Sequence, residues 1–493
     1  MADDGPILIP GQSCWQIAHA GRVGVIIDAA DYFAAVRAAI LQARHSVLLI
    51  GWDFDVRIQL DPRNPRRGMP DRLGRFLDWA VRKRPGLRIH VLRWDLGMVM
   101  GIWRGAMPLM VLDWLSNDRI SFRLDRAHPI DSVHHEKIIV IDDALAFCGG
   151  IDMTCDRWDT RAHRDDEPFR KRPLTRRPYG PWHDVATAVD GAAAKALGDL
   201  ARMRWKRATG QDLPVPPPGA DIWPDDVDIS FRDSDIAIAR TNPPWNGEDG
   251  VREIEALYLH AIASARRMIY LESQYFASRR IAEAIAARLR AADPPEIVII
   301  NPHEAGGWLE EAIMGASRVR LLRMVLAQDH QDRFRIYTPV TEGGAPIYVH
   351  AKVMVIDDRL LRVGSSNLNN RSLGVDTECD LAIEASDDDT EKRARIIALR
   401  DDLLAEHLGC SPDDIAAAIA DAGSLIGAIE RLCGPGRSLR PFEPPDLGDL
   451  TEAVLGENEL LDPESLTRRW PRLRRRISRI LRGKWRRAPR SPH

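Results

Sequence analysis

A histidine and a lysine stand two residues apart at two places in the sequence, His135 with Lys137 and His350 with Lys352. Each pair runs directly into a short apolar stretch, which predicts a buried strand. Side chains alternate along a strand with a period of two, so each histidine points the same way as its lysine. A site built from both copies would hold two imidazoles and two ammonium groups. Such a site suits a phosphodiester, because the ammonium groups neutralise phosphoryl oxygens while the imidazoles divide the nucleophile and acid roles.

Each pair is followed by an aspartate seven residues after the histidine, Asp142 in the first copy and Asp357 in the second. The two segments therefore share the pattern HxKxxxxD, and two complete matches weigh against coincidence. The odd spacing turns both aspartates away from the face that carries histidine and lysine. Although they belong to the catalytic motif, we expect Asp142 and Asp357 to hold the two halves together through buried polar contacts.

The two motifs lie in a chain that contains an internal duplication. The segment Ala39–Arg44, followed by Val47–Ile50, recurs as Ala261–Arg266, followed by Ile269–Leu271, and the motifs themselves repeat after 215 residues. Helical patterns that run into apolar strands predict an α/β fold. We expect two homologous α/β sandwich halves, each a mixed sheet flanked by helices, that form one active site at their interface.

The breaks in the pattern suggest where the units begin and end. Five prolines fall between residues 211 and 226, which excludes a helix interior or a central strand there. We expect a first half over residues 1–212, a second half over residues 213–408 and a C-terminal helical region over residues 409–493.

Composition limits the class of protein. Of the 493 residues 45% are hydrophobic and 29% charged, and only six are cysteines, which excludes collagen-like, disordered and disulfide-rich chains. No run of about 18 apolar residues is present. No export signal is visible at the N-terminus, so we expect reduced thiols and a cytoplasmic protein that associates peripherally with membranes.

The basic residues are concentrated at the C-terminal end. Residues 468–490 hold eleven arginines and one lysine without an acid, which leaves 57 basic against 72 acidic residues elsewhere. The excess of acidic residues outside this tail argues against a nucleic-acid-binding protein. In this tail Trp470, Leu473, Ile477, Ile480 and Leu481 recur at helical spacing between the arginines. We expect an interfacial helix on an anionic membrane surface, with a nucleic-acid-binding arm or a disordered tail as the alternatives.

The duplicated HxKxxxxD pattern resembles the signature of the phospholipase D superfamily, and the resemblance runs from about residue 39 to residue 384. It continues through Gly149–Asp152 after the first motif and Gly364–Ser372 after the second. Within the superfamily the chain is most similar to eukaryotic-type phospholipase D, on the segments Arg157–Thr160, Pro181–Asp184 and Ile269–Phe276.

This resemblance implies a role for each motif residue. His135 would be the nucleophile that forms a phosphohistidine, and His350 would protonate the leaving alcohol and then act as base, although sequence symmetry alone leaves the assignment open. Lys137, Lys352 and Asn367 would bind the phosphate oxygens.

Two further acids, Asp159 and Glu378, are the candidates for carboxylates that orient the imidazoles. Asp152, which matches Asn367 in position, is expected to stay off the substrate, and His183 and Asp184 to be structural. The lysines supply the charge that phosphoryl transfer often takes from a metal, so we expect no metal and no cofactor in the reaction, and a monomeric enzyme.

The resulting hypothesis is a phospholipase D that hydrolyses the distal phosphodiester of glycerophospholipids to phosphatidic acid and a headgroup alcohol, and that also transfers the phosphatidyl group to alcohols. A cardiolipin-synthase-like phosphatidyltransferase shares this chemistry. A phosphodiesterase or nuclease of the same superfamily, or an inactive membrane-binding scaffold, are the remaining alternatives, and two complete His/Lys pairs argue against the scaffold.

Overall fold

Strands and helices alternate along most of the chain, as the sequence pattern predicts. The computed structural model describes residues 5–95, 117–304 and 315–443. The predicted membrane helix over residues 468–490 lies outside the described residues. Among the described helices, none combines the length and the apolar character needed to cross a bilayer.

The described strands of the first half include the two apolar stretches beside its motif. In chain order they are β1 (Gln16–Ile27), β2 (Ser46–Gly51), β3 (Arg88–Trp94), β4 (Ile120–Asp125), β5 (Ile138–Ile141), β6 (Leu145–Gly149), β7 (Trp182–His183) and β8 (Val185–Asp190). The segment predicted to be buried after His135 is β5, and all four of its residues are buried.

The described strands of the second half repeat this series with additions. They are β9 (Phe231–Asn242), β10 (Val251–Arg252), β11 (Met268–Glu272), β12 (Glu296–Ile300), β13 (Phe334–Val340), β14 (Tyr348–Val349), β15 (Val353–Ile356), β16 (Leu360–Gly364), β17 (Glu378–Glu384) and β18 (Ser438–Pro441). Strand β15, after His350, is again fully buried.

Helices cover the sheet. They are α1 (Ala29–Ile40), α2 (Leu73–Lys83), α3 (Gly191–Thr209), α4 (Glu253–Ser264), α5 (Arg279–Leu289), α6 (Ala316–Leu326), α7 (Asn370–Gly374), α8 (Thr390–Leu408), α9 (Pro412–Ala422) and α10 (Leu425–Leu432). The predicted linker over residues 211–226 contains neither helix nor strand and joins α3 to β9.

The main sheet is a single hydrogen-bonded series in the order β18-β13-β12-β11-β15-β16-β17-β9-β1-β8-β6-β5-β2-β3-β4, with β10 paired to β9. The long strands β1 and β9 pair antiparallel at its centre, with Val23 opposite Phe231. Read outward from this centre, the first half runs β1-β8-β6-β5-β2-β3-β4 and the second half runs β9-β17-β16-β15-β11-β12-β13. Each half contains parallel pairs, such as β2 with β3 and β11 with β12, among antiparallel ones. This arrangement confirms the predicted fold of two homologous halves, each built on a mixed sheet flanked by helices.

The hydrophobic cores on the two faces of the main sheet explain why the halves stay together. One hydrophobic core is shared by both halves and includes Leu197 and Trp205 on α3 and Leu403 and Leu404 on α8. The opposite face of each half has its own core, under α1 and α2 in the first half and under α4 and α5 in the second. Near the end of the described chain, β18 pairs with β13 of the second half. The boundaries 1–212, 213–408 and 409–493 stay predictions.

The motif aspartates do not join the two halves, and that expectation was wrong. The carboxylate of Asp142 accepts hydrogen bonds from the backbone amides of Arg44, His45 and Ser46, at 2.6, 2.8 and 2.6 Å. Asp357 does the same for residues 266–268. Each aspartate therefore ties the start of a neighbouring strand, β2 or β11, to the motif strand of its own half. The odd spacing from the histidine places the carboxylate at the far end of the motif strand, away from the histidine.

We predict that Asp142→Ala lowers the free energy of unfolding by about 2–4 kcal/mol, because three backbone amides that now donate to one carboxylate lose their acceptor. Urea unfolding followed by circular dichroism measures this change. Asp387→Ala is the matched control, since the side chain of Asp387 is 96% exposed and its variant is expected to unfold like the wild type. A variant at Asp142 as stable as this control would contradict the assignment.

Candidate active site

The first catalytic-motif histidine, His135, is held by a carboxylate from the other half of the chain. Its Nδ1 atom lies 3.0 Å from each carboxylate oxygen of Glu378, at the start of β17. Glu378 is itself fixed, because the hydroxyl groups of Ser365 and Ser372 donate to its two oxygens at 2.5 and 2.7 Å. Since Nδ1 is occupied, Nε2 is the nitrogen of His135 that is left for chemistry.

The second histidine, His350, makes the reciprocal contact. Its Nδ1 atom lies 2.7 Å from Oδ2 of Asp184, a residue of the first half that directly precedes β8. The other oxygen of Asp184 accepts a hydrogen bond from the amide of Val185 at 2.9 Å. Each imidazole is thus paired with a carboxylate that the opposite half supplies.

The backbone around each pair crosses between the halves in the same way. The amide of His135 donates to the carbonyl of Thr377 at 3.0 Å, and the amide of His350 donates to the carbonyl of His183 at 2.8 Å. Strands β7 and β14 pair in parallel just before His350. In both cases the residue that accepts from the histidine backbone directly precedes the carboxylate that meets the ring, so backbone and side chain fix the same geometry.

The two lysines lie beneath the imidazoles and are almost completely buried, with Lys137 3% and Lys352 0% exposed. Each Nζ donates to the carbonyl oxygen of the histidine two residues earlier, at 2.8 Å for Lys137. Lys137 also forms an ion pair with Asp152 at 3.2 Å. The structure therefore brings the four predicted residues His135, Lys137, His350 and Lys352 to one place.

Burial shifts the proton equilibria of the site. Desolvation and the nearby lysines lower the pKa of both His135 and His350 well below the usual range, so both rings are neutral. Burial also lowers the pKa of Lys352 to about 7, although the Asp184 carboxylate opposes this shift. It raises the pKa of Glu378 to about 8 against the attraction of Lys137, and that of Asp184 to about 7 against the attraction of Lys352. An anionic ligand would favour the cationic form of Lys352.

Both histidines line a cavity of about 810 Å³. Its wall carries Trp182, whose ring stacks on Tyr348 with centroids 4.5 Å apart, and Arg157, whose guanidinium lies 4.1 Å from the centre of the Trp182 ring. Aromatic rings and a cation beside the imidazoles can receive a ligand that has both an anionic group and an apolar part.

Asn367 and Asp152 follow the two motif strands at equivalent positions but differ in surroundings. Asn367 lines the cavity, and its Oδ1 atom has no hydrogen-bond partner among the described residues. Asp152 is buried, accepts from the amide of Trp52 at 3.1 Å and pairs with Lys137. Asn367 thus faces the cavity, where its Nδ2 donates to Oε1 of Gln274 over a long 3.5 Å, whereas Asp152 is occupied by the protein.

The prediction that Asp159 orients a catalytic imidazole was wrong. Asp159 is fully buried and its Oδ2 atom lies 3.0 Å from Nδ1 of His163, while Arg170 donates to both of its oxygens at 3.1 Å. Asp184, which we expected to be structural, takes the place at His350. The signal was present in the duplication, because Asp184 and Glu378 both stand where the sheet neighbour of a central strand begins, β8 beside β1 and β17 beside β9.

Comparison with known proteins identifies the relatives of this chain. A family profile described as "Cardiolipin synthase, PLD-like domain" matches residues 258–397, which include the second motif. Phospholipase D A of Dictyostelium discoideum is 26% identical over 436 residues, and phospholipase D alpha 1 of Vigna unguiculata is 23% identical over 514 aligned positions. These alignments cover 74% and 76% of the chain. These matches support the phospholipase D superfamily as the family of this chain. Its resemblance to the eukaryotic type is confirmed by these relatives.

The superfamily relatives differ from this chain in length. The chain spans 33% of the Dictyostelium protein and 63% of the Vigna protein. Among solved structures, a phosphatidylserine synthase of Haemophilus influenzae Rd KW20 superposes with a TM-score of 0.50 at 14% identity, over 77% of this chain and 86% of that one. This similarity supports the phospholipase D-like fold.

The raised pKa of Glu378 makes its contribution to stability depend on pH. In the unfolded chain Glu378 ionises near pH 4.5, whereas in the folded protein it keeps its proton up to about pH 8. The stabilisation is therefore complete below pH 4.5 and is lost as the pH rises to about 8. We predict that the stability of the wild type relative to Glu378→Gln falls across this range and is constant above it.

Urea unfolding of both proteins at a series of pH values tests this prediction. Glu283→Gln is the matched control, because it makes the same substitution at an exposed residue on α5, outside the site. A pH-independent difference between the wild type and Glu378→Gln would show that Glu378 ionises normally in the folded protein.

Proposed function

We propose that the protein is a phospholipase D that hydrolyses the distal phosphodiester of glycerophospholipids and transfers the phosphatidyl group to alcohols. The observation that carries this proposal is the pair of imidazoles, each held at Nδ1 by a carboxylate of the other half, beside two buried lysines at one cavity. The phospholipase D names of the relatives in Dictyostelium and Vigna support the substrate class.

In the first step Nε2 of His135 attacks the phosphorus atom, while Nδ1 keeps its proton and its contact with Glu378, which holds the ring in position. The phosphorus–oxygen bond to the headgroup breaks, and His350 gives its proton to the departing oxygen, so that the headgroup leaves as an alcohol. The bound phosphate brings negative charge close to His350, which raises its affinity for a proton. Lys137, Lys352 and Asn367 bind the phosphoryl oxygens as charge moves onto them.

In the second step His350 takes a proton from water, and the water oxygen attacks the phosphorus of the phosphohistidine. The phosphorus–nitrogen bond breaks, which releases phosphatidic acid and restores His135. A primary alcohol can replace water at this point and yields the phosphatidyl alcohol. The neutral state of the His135 ring in the free protein matches its role as nucleophile.

A phosphatidyltransferase of the cardiolipin synthase type is the second candidate. The family profile that matches residues 258–397 carries that name. The two-step chemistry is the same, and only the acceptor differs, being glycerol or the headgroup of another phospholipid in place of water.

We predict that the purified full chain, given phosphatidylcholine vesicles and ethanol, forms phosphatidylethanol at the expense of phosphatidic acid. Mass spectrometry measures both products, because a covalent intermediate divides between water and alcohol. His135→Asn and His350→Asn should each reduce turnover by at least about 10²–10⁴-fold, the usual contribution of a catalytic acid or nucleophile. His90→Asn, at a partly buried histidine on β3 outside the site, is the matched control.

Phosphatidic acid alone at every ethanol concentration would contradict the phosphohistidine. A reaction only with phosphatidylglycerol, giving cardiolipin, would favour the second candidate. No turnover of any phospholipid by a folded wild-type protein would exclude both.

We also propose that residues 468–490 attach the enzyme to anionic membranes from the cytoplasm. We predict that deleting the chain from Arg468 weakens sedimentation with phosphatidylserine vesicles, because each cation near such a surface contributes about 1 kcal/mol. Turnover of a short-chain soluble substrate should persist. Replacing Leu473 and Ile477 by serine keeps every charge, so reduced binding in that variant identifies the apolar face as part of the contact. Unchanged vesicle binding after the deletion would contradict the anchor.

A further inference from the structure

A second cluster of imidazoles and carboxylates lies directly behind the Asp184–His350 pair, and the proposed reaction does not use it. All of its members are buried: Asp28, Asp159, His163, His183, Glu272, Glu406 and His407. They come from the residue before α1, the segment between β6 and β7, β7 itself, β11 and the end of α8. The cluster therefore lies where the first half meets the sheet and the last long helix of the second half.

Donor atoms of four residues face one another at the centre of this cluster. Oε1 of Glu406 lies 3.1 Å from Nε2 of His163 and 2.9 Å from Nδ1 of His183. The two oxygens of Asp28 lie 3.4 Å from Nε2 of His163 and 3.3 Å from Nδ1 of His183. The ligand atoms of a tetrahedral zinc ion, each about 2.0–2.1 Å from the metal, are about 3.3 Å apart. With Oδ2 as the ligand atom of Asp28, the distances of 3.1, 2.9 and 3.4 Å are close to edges of that tetrahedron.

One of these atoms makes no hydrogen bond with any described residue, although it lies 3.4 Å from Nε2 of His163. Asp28 is completely buried, and its Oδ2 atom makes no hydrogen bond, while its Oδ1 accepts one from the amide of Asp184 at 3.1 Å. Leaving a buried carboxylate oxygen without a donor is unfavourable. Oδ2 points toward the nitrogen of His163 that also faces Glu406, so a cation between these groups would satisfy it.

The far nitrogen of each ring carries the partner that metal-binding histidines usually have. Nδ1 of His163 lies 3.0 Å from Asp159, and Nε2 of His183 lies 2.8 Å from Glu272. A carboxylate at this position fixes the ring orientation and makes the other nitrogen a better ligand. These carboxylates are held in turn, Asp159 by Arg170 and Glu272 by the hydroxyl of Tyr270.

The number of N–H protons on His163 and His183 is also consistent with a cation at the centre of the cluster. A neutral imidazole has a single N–H group, yet both nitrogens of His163 and of His183 face carboxylate oxygens. If the outer carboxylates take the N–H groups, the two inner nitrogens present lone pairs to Glu406 and Asp28. Such contacts are repulsive unless each ring carries a second proton or a metal cation lies between them, and the experiment below distinguishes these two cases.

We propose that Asp28, His163, His183 and Glu406 bind one divalent zinc ion. Two nitrogen and two oxygen donors in a tetrahedral arrangement favour zinc over magnesium or calcium, which prefer six or more oxygen ligands. The site has four protein ligands and is buried, so the ion is structural. It joins the loop and strand that precede Asp184 to helix α8, and so holds Asp184 in position for His350.

A second possible metal site in the cluster consists of His183, Glu272 and His407, and it shares His183 with the first. Glu272 faces Nε2 of His183 and lies 3.0 Å from Nε2 of His407. This second site offers only three donors, and Glu272 already receives the Tyr270 hydroxyl. We therefore place the ion among the four residues around Asp28. His407 becomes a suitable control, since it is equally buried and adjacent but is not a ligand.

The test is the metal content of the full chain, expressed in zinc-supplemented medium and dialysed against metal-free buffer. We expect about one zinc ion per chain by inductively coupled plasma mass spectrometry. X-ray absorption at the zinc edge should show two imidazole and two oxygen ligands at about 2.0–2.1 Å. His163→Gln should hold at least about tenfold less zinc, in line with the loss of a ligand, whereas His407→Gln should keep it.

Three results would overturn the proposal. One is a folded wild-type protein with no zinc whose melting temperature does not respond to added zinc chloride, because two protonated histidines would then balance the carboxylates. Another is full zinc content in a folded His163→Gln variant. The third is an absorption spectrum with cysteine sulfur or without imidazole scattering, a measurement on the wild type that holds even if the variant fails to fold.

Discussion

The reciprocal contact between imidazole and carboxylate is the interaction on which the rest of the structure depends. His135 of the first half meets Glu378 of the second, and His350 of the second meets Asp184 of the first. Neither half can orient its own histidine, so neither has a complete site. The shared core between α3 and α8 and the central pairing of β1 with β9 keep the halves in the register that these two contacts need.

Burial gives this arrangement its chemistry. The lysines are held under the imidazoles by hydrogen bonds to the carbonyls of His135 and His350, so their positive charges cannot turn away to water. In this setting neutral imidazoles and weakly acidic carboxyl groups are favoured until an anion arrives. Binding of a phosphodiester would therefore also change the protonation states of the groups around it, which couples ligand binding to the protonation of the site.

Local patterns in the sequence predict much of the fold and the centre of the site, because strands and motifs are short-range features. The buried strands β5 and β15 and the four motif residues follow from alternation and spacing alone. The partners of the histidines do not, since Glu378 is 243 residues from His135 and Asp184 is 166 residues from His350. Asp159 was chosen for its place in a family-like segment, and only the folded chain shows that it meets His163.

Asp142 and Asp357 illustrate a second limit. Spacing shows correctly that their side chains leave the histidine face, but it does not show what they meet instead. Their acceptor role toward backbone amides depends on where the preceding helix ends and the next strand begins. The cluster around Asp28 has the same character, because its residues are spread from position 28 to position 407 and follow no spacing rule.

The antiparallel pairing of β1 with β9 places the two halves about an approximate twofold axis, as in a dimer of identical subunits. In a true dimer every substitution would occur twice, and both histidines would have identical surroundings. A fused chain is free of that constraint, and its two halves differ at equivalent positions. Asp152 of the first half corresponds to Asn367 of the second, and Asp184 corresponds to Glu378. Covalent linkage thus allows the symmetry to be broken one residue at a time, so that two imidazoles of common origin can differ in charge environment and act in a fixed order.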